Sequence, residues 1–421
     1  MAAGMIEARR SRRRLISTVT AVAALAAGFS GTAPAVAADA QSQQWYLDAM
    51  NAEEIWKTST GQGIKVAVID SGVNPNTSSL KGQVLKGADV AEAEGDETDD
   101  YRGHGTTMAE LIVGTGAGGG LKGLAPAAKV IPFRVSDTEL QNNEKVNAFD
   151  MREAIKAAAD SDARIINISM ASDFYSTETR KAVKYAQRKG KLLFAGTGND
   201  AVKANKPQYP ASYPEAIAVA ASDRSGKVAD YSRHGDFVDI AAPGSDIPGW
   251  CDETFKEYCK GSGTSNATAL ASASAALIWS AHPDWTANQV LRVMIESAGR
   301  GKDWKKGTVS NYLGHGIVRP GAHINRGLGK PGDPNISPLT NKRTDGRSSD
   351  PSASAPASPK PSAPASSQAP ADKAGSDTVA ADSSSGSSDG SGPPGWMLAA
   401  IAAVAVIGGG AFAVARKRRS A

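Results

Sequence analysis

The central part of this 421-residue chain predicts an α/β fold, with a mostly parallel sheet covered by helices on both faces. Two observations carry that prediction: a series of short β-branched or apolar runs, and stretches of helical character set between them. The runs are Ile64 to Asp70, Lys129 to Val135, Arg164 to Ser169, Lys191 to Ala195, Ala216 to Ala221 and Val238 to Ala241. They read as buried strands, since a strand covered on both faces needs apolar residues at consecutive positions. Met151 to Asp160 and Thr177 to Lys189 have helical character. Further on, Thr286-Ala287-Asn288-Gln289 is a capping box, and Leu291, Met294, Ile295 and Ala298 mark one buried helix face. No internal repeat is present.

The ends of the chain are of a different kind. Residues 1–37 have the three parts of a secretory signal. Arg9, Arg10, Arg12, Arg13 and Arg14 stand against Glu7, an uncharged apolar run begins at Leu15, and Ala35-Val36-Ala37 offers small residues for cleavage after Ala37. Small and turn residues break the run early, which disfavours a first transmembrane helix. Ser11-Arg12-Arg13-Arg14-Leu15-Ile16 loosely resembles a twin-arginine signal, so both general export routes fit. Residues 396–415 form a charge-free apolar stretch of about the 20 residues that cross a bilayer core. The basic residues 416–419 follow it, so residues 416–421 are expected in the cytoplasm and the bulk of the chain outside. Residues 330–395, rich in Pro, Ser and Ala, are expected to be a disordered linker. The folded domain is then 38–329.

Charge follows the same division. Signal and tail each carry +4 of a total of +4, leaving −4 for residues 38–415, so the basic isoelectric point is no sign of nucleic-acid binding. Cys251 and Cys259 both lie on the exported side, where a disulfide is chemically permitted. Two thiols without a nearby His fall short of a zinc set. The acidic run Glu92 to Asp100 lacks recognisable calcium-ligand spacing and reads as a solvated loop.

Three segments carry chemistry. Val66-Ala67-Val68-Ile69-Asp70-Ser71-Gly72 is a strand ending in a carboxylate, at the edge where open α/β sheets bind ligands. Gly103-His104-Gly105-Thr106 opens an apolar helix, and its glycines allow close backbone approach. Gly263-Thr264-Ser265-Asn266-Ala267 leads into an alanine-rich helix that must press tightly into the core, with Ser265 beside free backbone N–H groups. Taken singly, each has an ordinary reading: a turn or cap for Asp70, a helix start for His104, an N-cap for Ser265. The other histidines, His234, His282, His315 and His323, lack such a setting.

Taken together, Asp-Ser-Gly, His-Gly-Thr and Gly-Thr-Ser, in that order, resemble the subtilisin-like serine proteases. Gly123-Leu124-Ala125-Pro126, Gly198-Asn199 and Ala241-Ala242-Pro243-Gly244 extend the match over residues 45–328. The resemblance implies a three-layer subtilisin-like fold and an endopeptidase without a cofactor or catalytic metal. It implies Asp70, His104 and Ser265 as catalytic triad, Asn199 as oxyanion-hole amide, and Ser169, Met170 and Ala171 as substrate-binding edge. Between Ala38 and Ile64 there is no room for the folded pro-domain usual in the family. A short N-terminal extension with a C-terminal anchor and basic tail resembles the mycosins, the proteases of type VII secretion systems. Expected partners are therefore protein or peptide substrates, the membrane and secretion-system components. A structural role in such a complex and general scavenging proteolysis are the competing functions.

Two stretches depart from the family pattern: Asn266-Ala267-Thr268-Ala269, where Met-Ala-x-Pro is usual, and Met170-Ala171-Ser172, where Leu-Gly-Gly is usual. The added side chains are expected to reshape the pocket for the residue before the cut. Kinetics on Asn266→Met and Ala171→Gly are accordingly expected to show altered substrate preference.

Overall fold

The structure is a computed structural model that describes residues 40–91, 93–135, 148–302, 304, 305 and 307–345. The expected signal, membrane span and tail lie outside them. Among the described residues no helix is long and apolar enough to cross a membrane.

In chain order the elements are α1 (Trp45–Ala49), α2 (Ala52–Trp56), β1 (Lys65–Asp70), β2 (Ala88–Asp89), α3 (His104–Val113), β3 (Lys129–Arg134), α4 (Ala148–Asp160), β4 (Ile165–Ile168), α5 (Thr177–Arg188), β5 (Leu192–Gly196), β6 (Ile217–Ser222), β7 (Ile240–Pro243), β8 (Ile247–Trp250), β9 (Tyr258–Gly261), α6 (Thr264–Ala281), α7 (Ala287–Ser297) and α8 (Pro320–Ile324). Seven strands pair in the order β2-β3-β1-β4-β5-β6-β7, and every pairing is parallel. Parallel neighbours need crossovers: α3, α4 and α5 lie in those that lead to β3, β4 and β5, while irregular segments join β5 to β6 and β6 to β7. All six strands expected from the apolar runs are present.

Period-two geometry splits each strand between two cores. Val66 and Val68 of β1 belong to the larger cluster, with the buried residues of α3 and α6. Ala67 and Ile69 belong to the other, with Met151, Ile155 and Ala158 of α4 and Val183 of α5. The sheet is thus sandwiched between helices, as the sequence predicts. β1 lies between β3 and β4, and its last residue, Asp70, pairs with Arg134 of β3 one position beyond the end of the pairing with β4.

α6 comes closest to the sheet. Its buried face is mostly Ala and Ser, and Ser272 Oγ donates to Asn167 Oδ1 of β4 at 3.1 Å. Gly196 at the end of β5 leaves room for it: a Cβ there would lie 2.9 Å from Thr264 Oγ1 and 3.2 Å from Thr268 Oγ1. The capping box forms as expected, with Thr286 N donating to Gln289 Oε1 at 3.0 Å. The predicted face of α7 is buried throughout.

The structure corrects three expectations. The last strand begins at Ile240 rather than Val238, because the Asp239 carboxylate accepts the Ala218 N–H that a ladder carbonyl would otherwise take. The linker does not begin at Lys330: Asn288 Nδ2 donates to Pro334 O and Thr344 Oγ1, Ile336 pairs with Arg343, and Leu339 packs on the core. Local contacts there outweigh the average composition of 330–395, and the folded chain extends to Asp345. The acidic run is not merely solvated: it wraps the fully buried Arg134 at the end of β3. That guanidinium donates to Asp89 Oδ2 at 3.1 Å, Glu94 O at 2.9 Å and Ala93 O at 3.3 Å. A buried charge needs such partners.

Gly196→Ala is expected to lower unfolding free energy by about 1–3 kcal/mol through overpacking, read from urea denaturation. An unchanged midpoint would contradict the close approach of α6.

Candidate active site

Asp70 is fully buried at the carboxyl end of β1. Its Oδ1 accepts from Ser71 N at 2.8 Å and bonds His104 Nδ1 at 2.6 Å. His104 is the first residue of α3, and its helix start presses on the Asp70 turn. A Cβ at Gly105 would lie 2.1 Å from Gly72 O and 3.2 Å from Asp70 Oδ1, so glycine is what permits the approach.

Behind this pair stands a second acid, which the sequence pattern places in the solvated loop. Asp100 is 5% exposed. Its Oδ1 accepts from Gly103 N at 2.9 Å and Ser71 Oγ at 2.9 Å, and its Oδ2 accepts from Thr106 N at 2.8 Å. It therefore caps α3 and satisfies free N–H groups at the helix start. Burial raises its pKa. Its position four residues before His104 is the one signal of this role in the sequence.

Electrostatics at His104 follow from these neighbours. Burial alone favours the neutral imidazole, but the Asp70 charge and hydrogen bond, with a contribution from Asp100, outweigh it. The pKa is pushed up to about 8. With Nδ1 bonded to a carboxylate, the neutral ring carries its proton there and leaves Nε2 as acceptor.

Ser265 is the second residue of α6. Its hydroxyl donates to the Ser169 carbonyl at 3.1 Å, and no described hydrogen bond joins it to His104. Asn199 follows β5, and its Oδ1 accepts from Thr264 N at 2.8 Å and Thr264 Oγ1 at 3.0 Å. That engagement leaves Nδ2 without a described partner beside the start of α6. His104, Asn199 and Ser265 all line one cleft of about 440 Å³.

Ser169, Met170 and Ala171 line the same cleft. The backbone groups of Met170 and Ala171 enter no described main-chain hydrogen bond, which leaves them free for an added strand. The expected reshaping by side chains holds only in part. Met170 is 4% exposed and sits in the core beneath, while Asn266 is buried and its Nδ2 faces Gly244 O at 3.4 Å. Ala171 is half-buried and lines the cleft with bulk that glycine would lack, so Ala171→Gly, and not Asn266→Met, is where a change of preference is expected.

Cys251 and Cys259 are joined in a disulfide across the antiparallel β8–β9 hairpin, and Cys251 lines the cleft. Two bonds hold this hairpin to α3. Trp250 N donates to Thr107 Oγ1 at 2.9 Å, and Tyr258 Oη donates to the buried Glu110 at 2.8 Å. Burial pushes the Glu110 pKa up to about 7. Sequence pattern gave no sign of this hairpin or of Arg102, a cleft residue beside His104. The remaining histidines are elsewhere: His234 stacks on Tyr312, and His282 contacts His323 at 3.0 Å.

Residues 61–316 match the Subtilase family, over more than half of the chain. The chain belongs to the subtilase family. Thermitase of Thermoactinomyces vulgaris is 33% identical over 279 residues, covering 64% of this chain and 95% of thermitase. MycP1, described as a serine protease and an essential component of the type VII (ESX-1) secretion system, has a solved structure that superposes with TM-score 0.58. It is 28% identical and covers 67% of this chain and 88% of its own. The MycP3 protease structure, from the type VII (ESX-3) system, gives 0.56 at 29% identity, covering 66% and 87%. This subtilase is thus a serine endopeptidase acting on protein substrates, with MycP proteases among its structural neighbours.

In this subtilase, NMR titration of His104 is expected to give a pKa near 8, falling in Asp70→Asn, where the carboxylate charge and hydrogen bond that raise it are gone. An unmoved pKa in that variant would show that the Asp70 carboxylate does not charge the ring.

Proposed function

We propose that Ser265 is the nucleophile, His104 the general base and Asp70 the residue that orients and stabilises the imidazole. The observation that carries this is the 2.6 Å Asp70–His104 bond opening onto a cleft that Ser265 and Asn199 also line. The Ser265 hydroxyl exchanges its bond to the Ser169 carbonyl for one to His104 Nε2. It then attacks the scissile carbonyl while the imidazole takes its proton. The proton passes to the leaving amine, and water repeats the sequence on the acyl-enzyme. Asn199 Nδ2 and the Ser265 N–H donate to the developing oxyanion. Substrate backbone pairs with Met170 and Ala171.

The proposal extends to location. The signal pattern of residues 1–37, the apolar stretch 396–415 and the basic residues after it support a catalytic domain held outside the cell membrane by one span. The likeness to MycP1 and MycP3, proteases of type VII secretion systems, supports substrates and partners within such a system. Cysteine placement fits that oxidising side.

A fluorophosphonate probe is expected to label the full chain at Ser265 and to leave Ser265→Ala unlabelled. Absence of labelling in folded protein would favour a scaffold with a subtilase fold. Because the base must be neutral to accept a proton, the labelling rate is expected to rise with pH through about 8 and level off above it. A flat profile across that interval would remove His104 from the base role. Asn199→Ala is expected to lower kcat by about 10²–10³, the loss typical of removing one oxyanion-hole donor, with KM little changed.

A further inference from the structure

A second concavity, of about 810 Å³, shares no residue with the catalytic cleft and lies beside the outer strand β7. Its wall is apolar in part: Trp45, Met50, Leu313, Ile317 and Ala322 line it. Four exposed arginines, Arg224, Arg300, Arg319 and Arg326, line it as well.

Among the described residues, no carboxylate matches those cations: the arginine–carboxylate pairs all involve other arginines. Two acids line the groove, and both are engaged: Glu54 pairs with Lys57, and Asp223 accepts from Ser225 N and Lys227 N. Arg300 donates to Ile295 O at 2.9 Å and Arg319 to Ser297 O at 3.0 Å, while Arg224 lies over the Trp45 ring. The guanidinium of Arg319 is held below its ordinary pKa by partial burial and by Arg326 and Arg300. The surplus is local. In sequence, residues 299–330 hold seven basic residues and one acid, Asp303, a net +6.

We infer that this groove docks an acidic polypeptide segment of a partner protein, with carboxylates on the arginines and apolar side chains against the wall. Convergent like charges repel unless a ligand neutralises them, and complementary potentials steer association. Concavity argues against a flat lipid surface, and the apolar wall would go unused by a small anion. The volume lies within the roughly 300–1,000 Å³ typical of ligand sites. The inference does not depend on the catalytic assignment.

The test uses the full chain carrying Ser265→Ala, so that the probe is not cleaved, and a fluorescein-labelled peptide alternating Glu and Leu. Anisotropy is expected to show saturable binding that weakens at least about tenfold in Arg224→Glu/Arg326→Glu, with an unchanged melting temperature. The same peptide with Lys for Glu is expected not to bind. In the otherwise wild-type chain, the double substitution is expected to leave fluorophosphonate labelling unchanged. Equal affinity in the double variant, or no saturable binding to the parent chain, would overturn the inference. So would binding to phosphatidylglycerol vesicles, lost in the double variant, with no peptide binding, which assigns the groove to a lipid headgroup.

Discussion

One hydrogen bond, between Asp70 Oδ1 and His104 Nδ1, sets the demands that the surrounding structure meets. A carboxylate taken wholly out of water must find donors, and here Ser71 and His104 provide them for Oδ1, while Oδ2 has no partner among the described residues. Placing it required a strand in the interior of the sheet that ends at that residue. Placing the imidazole required a helix start close enough to touch the same turn. Asp100 meets the second demand by binding the first N–H groups of α3. Two acids, one imidazole and a helix end therefore form one electrostatic unit, in which the ring's affinity for a proton is set by a balance of burial against negative charge.

The serine side of the cleft depends on close packing instead. α6 is lined with Ala and Ser, so its axis approaches the sheet, and Asn167 ties β4 to it through Ser272. The same approach brings Thr264 to Asn199, whose oxygen is consumed by that contact while its nitrogen is left over. Orientation of the amide is thus a product of packing. The hairpin closed by Cys251 and Cys259 borders the cleft and is fastened to α3 through Thr107 and Glu110. A disturbance of either helix would be felt at the reacting groups.

Much of this was legible in the residues, for a physical reason. Strands covered on both faces leave continuous apolar runs, and the runs at 64–70 and 191–195 deliver Asp70 and Asn199 at their ends. Glycines flanking His104 and small residues after Ser265 are the sequence form of close approach. Other features were hidden because their partners are distant in the chain. Asp100 sits in a run of acids and is distinguished from them only by Ser71 and Thr106, which bury it. Arg134 resembles any strand-end cation until the acidic loop is seen folded around it. Residues 330–345 share the composition of a linker, and their docking shows only in contacts with distant residues such as Asn288, Arg292 and Glu296 of α7. The basic groove is of the same kind, since Arg224 is far in sequence from Arg300, Arg319 and Arg326.

The central claim is convergence of three groups at one rim, and a covalent adduct interrogates it directly. A crystal structure of the full chain reacted with a peptide boronic acid should show boron bonded to Ser265 Oγ. It should also place one boronate oxygen within hydrogen-bonding distance of Asn199 Nδ2, with His104 still joined to Asp70 and its Nε2 turned to the adduct. An adduct on another residue, or a Ser265 adduct with the imidazole turned away and Asn199 unengaged, would contradict the account.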